Sequence, residues 1–142
     1  MKHAITIAGL VIELELWPSF IPQRGPVQDW IKMDSSVKTP YSEYHLENLL
    51  LPLKEWIAFR NRLKELIAGN LHKGISMNSS MPSFGIIITS RISERFLLEV
   101  QLSSDVRLER HVYNFEVSRT EIEQFMKSVE YSILSLPNER LC

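Results

Sequence analysis

Apolar and polar residues alternate along several short segments of this chain, and this alternation limits the possible folds more than any other feature does. The longest such segment in the second half places Phe96, Leu98, Val100 and Leu102 at every second position. A period of two predicts a β-strand with one buried and one exposed face. Because a sheet covered on both sides would show continuous apolar runs, these strands are expected in an antiparallel sheet with one face in solvent.

Six strands are predicted, three on each side of a polar loop. In the first, Leu10, Ile12, Leu14 and Leu16 face one side. Ile5 and Ile7 precede them, and Gly9 marks a bulge or bend between the two stretches. The other strands are predicted over Trp30–Val37, Glu43–Glu47, Phe84–Ile88, Phe96–Leu102 and Val106–Val117.

The breaks between these strands are also predicted. Pro18–Pro26 is expected to be a loop because it holds three prolines and a glycine. Residues 70–83 form the only long polar stretch and are expected to be a loop as well. A change of phase within the last strand predicts a β-bulge near Arg110–Val112.

Two helices are indicated by apolar spacing and by the residues at their ends. Pro52 suits the first turn of one helix, and Gly69 suits the left-handed residue that ends it. Ser118 and Glu121 form a capping box at the start of the other. The apolar stripe of the first helix is Leu53, Trp56, Ile57, Leu63 and Ile67, widened by Phe59 and Leu66. The stripe of the second is Ile122, Phe125, Met126, Val129, Ile133 and Leu136.

The element order βββα–loop–βββα predicts an α+β fold with two layers, in which an antiparallel sheet of about six strands carries both helices on one face. With 142 residues, the chain is expected to form a single domain over 1–142. Its halves, 1–69 and 84–142, are joined by the 70–83 loop and align at an offset of 69 residues. This alignment fits either an old duplication or two copies of a common pattern.

The predicted core joins one face of the sheet to both helices. Its members are Leu10, Ile12, Leu14, Leu16, Ile31, Met33, Phe96, Leu98, Val100, Trp56, Ile57, Phe125 and Met126.

Charge and composition exclude several classes of function. Sixteen basic residues against seventeen acidic ones give a net charge of −1, which provides no basic field for nucleic acid. The single cysteine, Cys142, excludes an intramolecular disulfide. No apolar run reaches the roughly 20 residues of a membrane span, and Glu13 and Glu15 interrupt the apolar N-terminal segment. A cytoplasmic protein that does not bind membranes is expected.

Catalytic and cofactor motifs do not occur in the sequence. The five glycines form no G-x-G pair, the four histidines form no H-x-H or H-E-x-x-H motif, and no G-x-S-x-G elbow is present. We therefore assign no catalytic residue, no metal ligand and no cofactor.

The exposed side of the predicted sheet carries a group of acidic residues. The predicted binding residues are Glu13, Glu15, Glu43, His45, Glu47, Glu99 and Glu116. Such a face could bind a basic partner, because complementary charge speeds encounter and fixes register. It could also supply two carboxylates and His45 as acid and base in a small enzyme, pair with a second copy, or only be solvated. Binding is the interpretation we carry forward.

A set of residue patterns resembles a known family. They are Ile12-Glu13-Leu14-Glu15-Leu16, a Pro-rich loop, Asp29-Trp30-Ile31, Tyr44-x-Leu46 and the helix Leu53-x-x-Trp56-x-x-Phe59-x-x-x-Leu63. Over about residues 5–136, the chain resembles the WapI-like immunity proteins and the small uncharacterised bacterial families around them. The resemblance implies an α+β fold and a cytoplasmic protein that neutralises a toxin by binding it. It carries no catalytic residues to this chain.

Overall fold

The computed structural model describes residues 4–21, 29–69, 74–80, 83–91, 94–105 and 109–135. Within these ranges, eight strands and two helices follow one another in the order ββββα–ββββα. The first half consists of β1 (Ile5–Ala8), β2 (Glu13–Ile21), β3 (Trp30–Lys38), β4 (Glu43–Pro52) and α1 (Leu53–Ile67). The second half consists of β5 (Ile75–Ser80), β6 (Ser83–Ser90), β7 (Arg95–Ser103), β8 (His111–Ser118) and α2 (Arg119–Leu134).

The strands form two antiparallel four-stranded sheets, one in each half of the chain. The first has the order β1-β2-β3-β4 and the second the order β5-β6-β7-β8. The α+β class and the antiparallel pairing are confirmed, whereas the prediction of one sheet of about six strands is wrong. Short connections let each strand pair with the next one along the chain, so each half completes its own sheet.

Two strands were missed because each was predicted as part of something else. Gly9 is the start of a tight turn, in which its N–H donates to the carbonyl of Ile12 at 2.8 Å, so Ile5–Ala8 is a separate strand paired with β2. As a turn residue, Leu10 is 98% exposed, and its placement in the core is wrong. The 70–83 segment contains β5, in which Ile75 and Met77 are buried.

Two other boundaries differ from the prediction. Strand β2 continues through Pro18 to Ile21, and residues 22–28 of the predicted loop lie outside the described residues. Strand β8 begins at His111 and pairs with β7 in continuous register, so the predicted bulge is not found in this pairing. Val106 and Leu108, which suggested it, lie outside the described residues.

A β-bulge does occur, in the first sheet. Between the pairs Met33–Leu49 and Ser35–Leu46, β3 has one residue and β4 has two. Asn48 adopts a left-handed conformation with φ of 62°, and its N–H donates to Oδ1 of Asp34 at 3.0 Å. The extra residue turns Leu49 and Leu51 toward the core and leads β4 into α1.

Both helices and most of the predicted core are confirmed, although Ile12, Ile57 and Met126 are only partly buried. The Ser118 hydroxyl accepts from the Glu121 N–H at 3.3 Å, as the capping box predicts, and Gly69 has φ of 82° after α1. One continuous apolar cluster includes residues of both sheets and both helices. Helix α1 packs against β4 and β5, α2 packs against β1 and β8, and the helices touch each other. Each helix therefore contacts both sheets.

The two halves share one order of elements, which fits both an old duplication and two copies of a common pattern. The single-domain assignment stays a prediction. Among the described residues, neither helix is long and apolar enough to cross a membrane.

Candidate protein interface

The first sheet carries a dense group of charges on the side that faces away from the core. We call this group the acidic face. Its members are Glu13, Glu15, Lys32, Asp34, Lys38, Glu43, His45 and Glu47. Strand register brings them together, since Lys38 of β3 lies opposite Glu13 of β2 and Glu43 of β4. The face has five carboxylates and two lysines, so it is acidic although the whole chain is nearly neutral.

Lys38 and His45 lie among these carboxylates. The Lys38 Nζ is 3.5 Å from Oε1 of Glu15 and 4.0 Å from Oε1 of Glu43. Nε2 of His45 is 2.7 Å from the same Glu43 oxygen. Because all four side chains are at least partly exposed, each pair contributes little to stability. The pairs fix the positions of the charges more than they stabilise the fold.

Negative charge is concentrated where β2 begins. A hydrogen bond between the Glu13 and Glu15 side chains is the largest cause of a raised pKa at Glu13, followed by burial and by the charge of Glu15, against the opposing effect of Lys38. Two carboxylates share this corner, and one lysine does not fully compensate them. A basic group from another molecule would be attracted here.

The seven predicted binding residues do not share one sheet. Glu13, Glu15, Glu43, His45 and Glu47 belong to the first sheet, whereas Glu99 of β7 and Glu116 of β8 belong to the second. The expectation of one common face depended on a single sheet and is wrong in that respect.

The two acidic residues of the second sheet have local partners. Glu99 lies beside Asn114 on the outward side of that sheet and accepts from Nε2 of Gln101 at 2.7 Å. Oε2 of Glu116 is 3.9 Å from Nε of Arg95.

An exposed apolar end of the first sheet was not predicted. The β1–β2 and β3–β4 turns lie at the same end, because Glu13 pairs with Lys38 just beyond them. They expose Leu10 (98%), Val11 (63%) and Tyr41 (96%), which we call the turn tips. The signal in the sequence was Gly9, which separates two apolar stretches that together, over Ile5–Trp17, are too long for one strand of usual size.

A groove runs from the turn tips to β8. It has a volume of about 340 Å³ and is lined by Leu10, Val11, Ile12, Thr39, Arg95, Asn114, Phe115 and Glu116. The β1–β2 turn approaches β8 closely at this groove because Gly9 has no side chain. A Cβ at this position would be 2.9 Å from Cδ2 of Phe115 and 3.1 Å from the carbonyl oxygen of Glu116. Through this groove, Glu116 of the second sheet lies close to one end of the first sheet. Glu13 and Glu43, the first residues of β2 and β4, are at that same end.

The His45–Glu43 pair, considered above as an acid and base, lies open to solvent. The side chains of His45 and Glu43 are 58% and 46% exposed, so water is not excluded from the pair. General acid–base catalysis ordinarily takes place in a concave, water-poor site. Across the ranges that the structure describes, no cluster of three His, Cys, Asp or Glu side chains could hold a metal ion.

Comparisons with known proteins agree with this architecture. No curated protein matches the chain. A solved structure of the plant transcriptional regulator PBF-2 is similar in fold, with a TM-score of 0.51 and 6% sequence identity over 92% of this chain and 80% of that one. At this identity the likeness concerns the fold alone. The model of the immunity protein WapI-like family matches residues 7–137. This chain therefore belongs to the immunity protein WapI-like family.

Proposed function

We propose that this protein neutralises a toxin by binding it through the acidic face. The observation that carries the proposal is the excess of carboxylates over lysines on the outward side of the first sheet, in a chain of net charge −1. The partner that fits this face is a basic toxin, because opposite potentials steer encounter and fix register. Membership of an immunity family is consistent with such a role.

The proposed contact residues have different positions within the interface. Glu13, Glu15, Glu43, His45 and Glu47 are its charged contacts on the first sheet. Glu116, which lines the groove beside the turn tips, extends the interface to the second sheet. Glu99 stays in the proposal as a peripheral charge. In this role the protein acts in the cytoplasm of a bacterium and uses no cofactor.

The test needs a candidate partner, and we expect one in the C-terminal domain of a large secreted protein, to be sought among the reading frames that neighbour this one. The first measurement asks whether co-expression of this protein restores growth to cells that produce the domain. The second measures association and dissociation rates between the purified proteins at low and high salt. Failure of the wild-type protein both to protect and to bind would overturn the proposal.

A charge variant tests the role of the acidic face. We expect the Glu13→Gln, Glu15→Gln, Glu43→Gln triple variant to associate about tenfold more slowly at low salt, with the difference disappearing at high salt. The matched control is Glu55→Gln, Glu65→Gln, Glu123→Gln, which removes the same charge from the helices. Equal rates for both variants and the wild type at every salt concentration would mean that the face is only solvated.

A further inference from the structure

The turn tips are unusual for a surface with no partner. Leu10 and Tyr41 are almost fully exposed, and Val11 is 63% exposed beside them. Leu10 and Val11 line the groove together with Ile12 and Phe115. Tyr41 is tied to the same groove through Thr39, whose Oγ1 accepts from the Tyr41 N–H at 3.3 Å. Contiguous apolar surface of this kind often marks a protein interaction site.

Carboxylates surround this apolar end. Glu13 directly follows the first turn, Glu43 directly follows the second, and Glu116 lines the groove. Two cations lie among these carboxylates. Lys38 is close to Glu43 and to Glu15, and Arg95 is close to Glu116. An apolar centre with a charged rim is the usual arrangement of a protein interface.

We propose that the turn tips are the anchor of the toxin interface and insert into an apolar pocket surrounded by basic side chains on the partner. The inference rests on the proposed function and deepens it, because it separates the residues that hold the complex from those that steer its formation. Charge favours this occupant over a second copy of the chain. A two-fold contact would bring the same patch together from both copies and place their carboxylates against each other.

The variant that tests the anchor is Leu10→Ser, Tyr41→Ser. Both side chains are more than 95% exposed, so its thermal unfolding curve should match that of the wild type. The matched control is Leu134→Ser, Tyr131→Ser, which removes the same two residue types from exposed positions on α2. Tyr131 lies near Ala4 and Ile5, at the end of β1 away from the turn tips.

Binding kinetics are measured against the purified toxin domain used above. We expect the turn-tip variant to bind about 30-fold more weakly or worse, mainly through faster dissociation, with the same loss at low and high salt. The control variant should bind as the wild type does. The acidic-face variant, in contrast, should change the association rate in a salt-dependent way.

Three outcomes would overturn the inference, and they can be told apart. If the wild type binds and the turn-tip variant binds within about threefold of it, the anchor is elsewhere and the proposed function stands. If sedimentation shows a wild-type dimer that the variant converts to a monomer, the turn tips bind a second copy. If the wild type itself does not bind the domain, the proposed function fails and the anchor fails with it.

Discussion

The phenol of Tyr44 in the first sheet donates a 2.7 Å hydrogen bond to the carboxylate of Glu109. Glu109 lies two residues before β8, a strand of the second sheet. The Tyr44 ring also lies against the ring of His111, with centroids 3.9 Å apart. Ser104 donates a second hydrogen bond to the same Glu109 oxygen at 2.6 Å. The two sheets have no paired strands in common within the described residues, so this cluster is a polar connection between them.

Stability at acid pH should depend on Glu109. Hydrogen bonds from Ser104, Tyr44 and His111 lower the pKa of its carboxyl from 4.5 to about 2. Because the folded pKa is below the unfolded one, this contribution to stability is present above pH 4.5 and is lost as the pH falls from 4.5 to 2. Glu109→Gln should therefore lower the free energy of unfolding at pH 7 and flatten its pH dependence over that range, as measured by urea unfolding.

Tyr44→Phe provides the control for this interpretation. It removes one donor and keeps the ring that contacts His111, so it should produce part of the same effect. In the double variant the two losses should not add, because both changes remove the same hydrogen bond. If Glu109→Gln retains the full pH dependence of the wild type between pH 4.5 and 2, the cluster does not stabilise the folded state in this way.

Local patterns predicted the strands and helices better than they predicted how the strands group. The alternation in β7 and the Ser118 cap describe interactions within one segment or between near neighbours, and both are confirmed. The number of sheets depended on weaker signals. Gly9 fits a bulge or a bend within one strand, and only the pairing of β1 with β2 across the Gly9–Ile12 hydrogen bond makes it a turn. The polar residues of β5 masked the alternation of Ile75 and Met77.

Trp56 should be among the most costly core residues to replace. It is fully buried in α1, stacks beside Phe59, and donates from Nε1 to the Ser132 hydroxyl of α2 at 2.9 Å. Trp56→Ala should reduce the free energy of unfolding by about 3–5 kcal/mol, through lost burial and the cavity left behind. Trp56→Phe keeps much of the apolar volume and should lose less. Urea unfolding measures both; a Trp56→Ala protein as stable as the wild type would contradict the observed packing of the helices.

Gly9→Ala should disturb the contact between the two sheets. The added methyl group would lie 3.1 Å from a backbone oxygen of β8, which cannot move aside as a flexible side chain can. We expect a loss of about 1–3 kcal/mol in the free energy of unfolding, typical of an overpacked site. Val11→Ala in the same turn is the control and should change stability by no more than about 0.5 kcal/mol, because Val11 is largely exposed. Equal stability of the Gly9→Ala protein and the wild type would mean that the turn can move away from β8.

The candidate interface shows the same division between local and long-range information. Alternation placed Glu13, Glu15, Glu43 and His45 on outward strand positions, where the structure has them. It could not show that Glu99 and Glu116 belong to another sheet, because strand grouping depends on contacts distant in sequence. The exposure of Leu10 was missed because an apolar residue in an alternating segment is ordinarily expected in the core.

Lys38 offers a charge change of opposite sign to the acidic-face variant. Its Nζ lies within 4.0 Å of Glu15 and Glu43, so Lys38→Gln makes the acidic face more negative. The pairs are partly exposed, and their loss should cost no more than about 1 kcal/mol of stability. If a basic toxin binds here, Lys38→Gln should raise the association rate a few-fold at low salt and leave it unchanged at high salt. Lys54→Gln on α1 makes the same charge change away from the face and should have a smaller effect. Equal association rates for the two variants at low salt would show that only net charge matters, and that the acidic face has no special part in encounter.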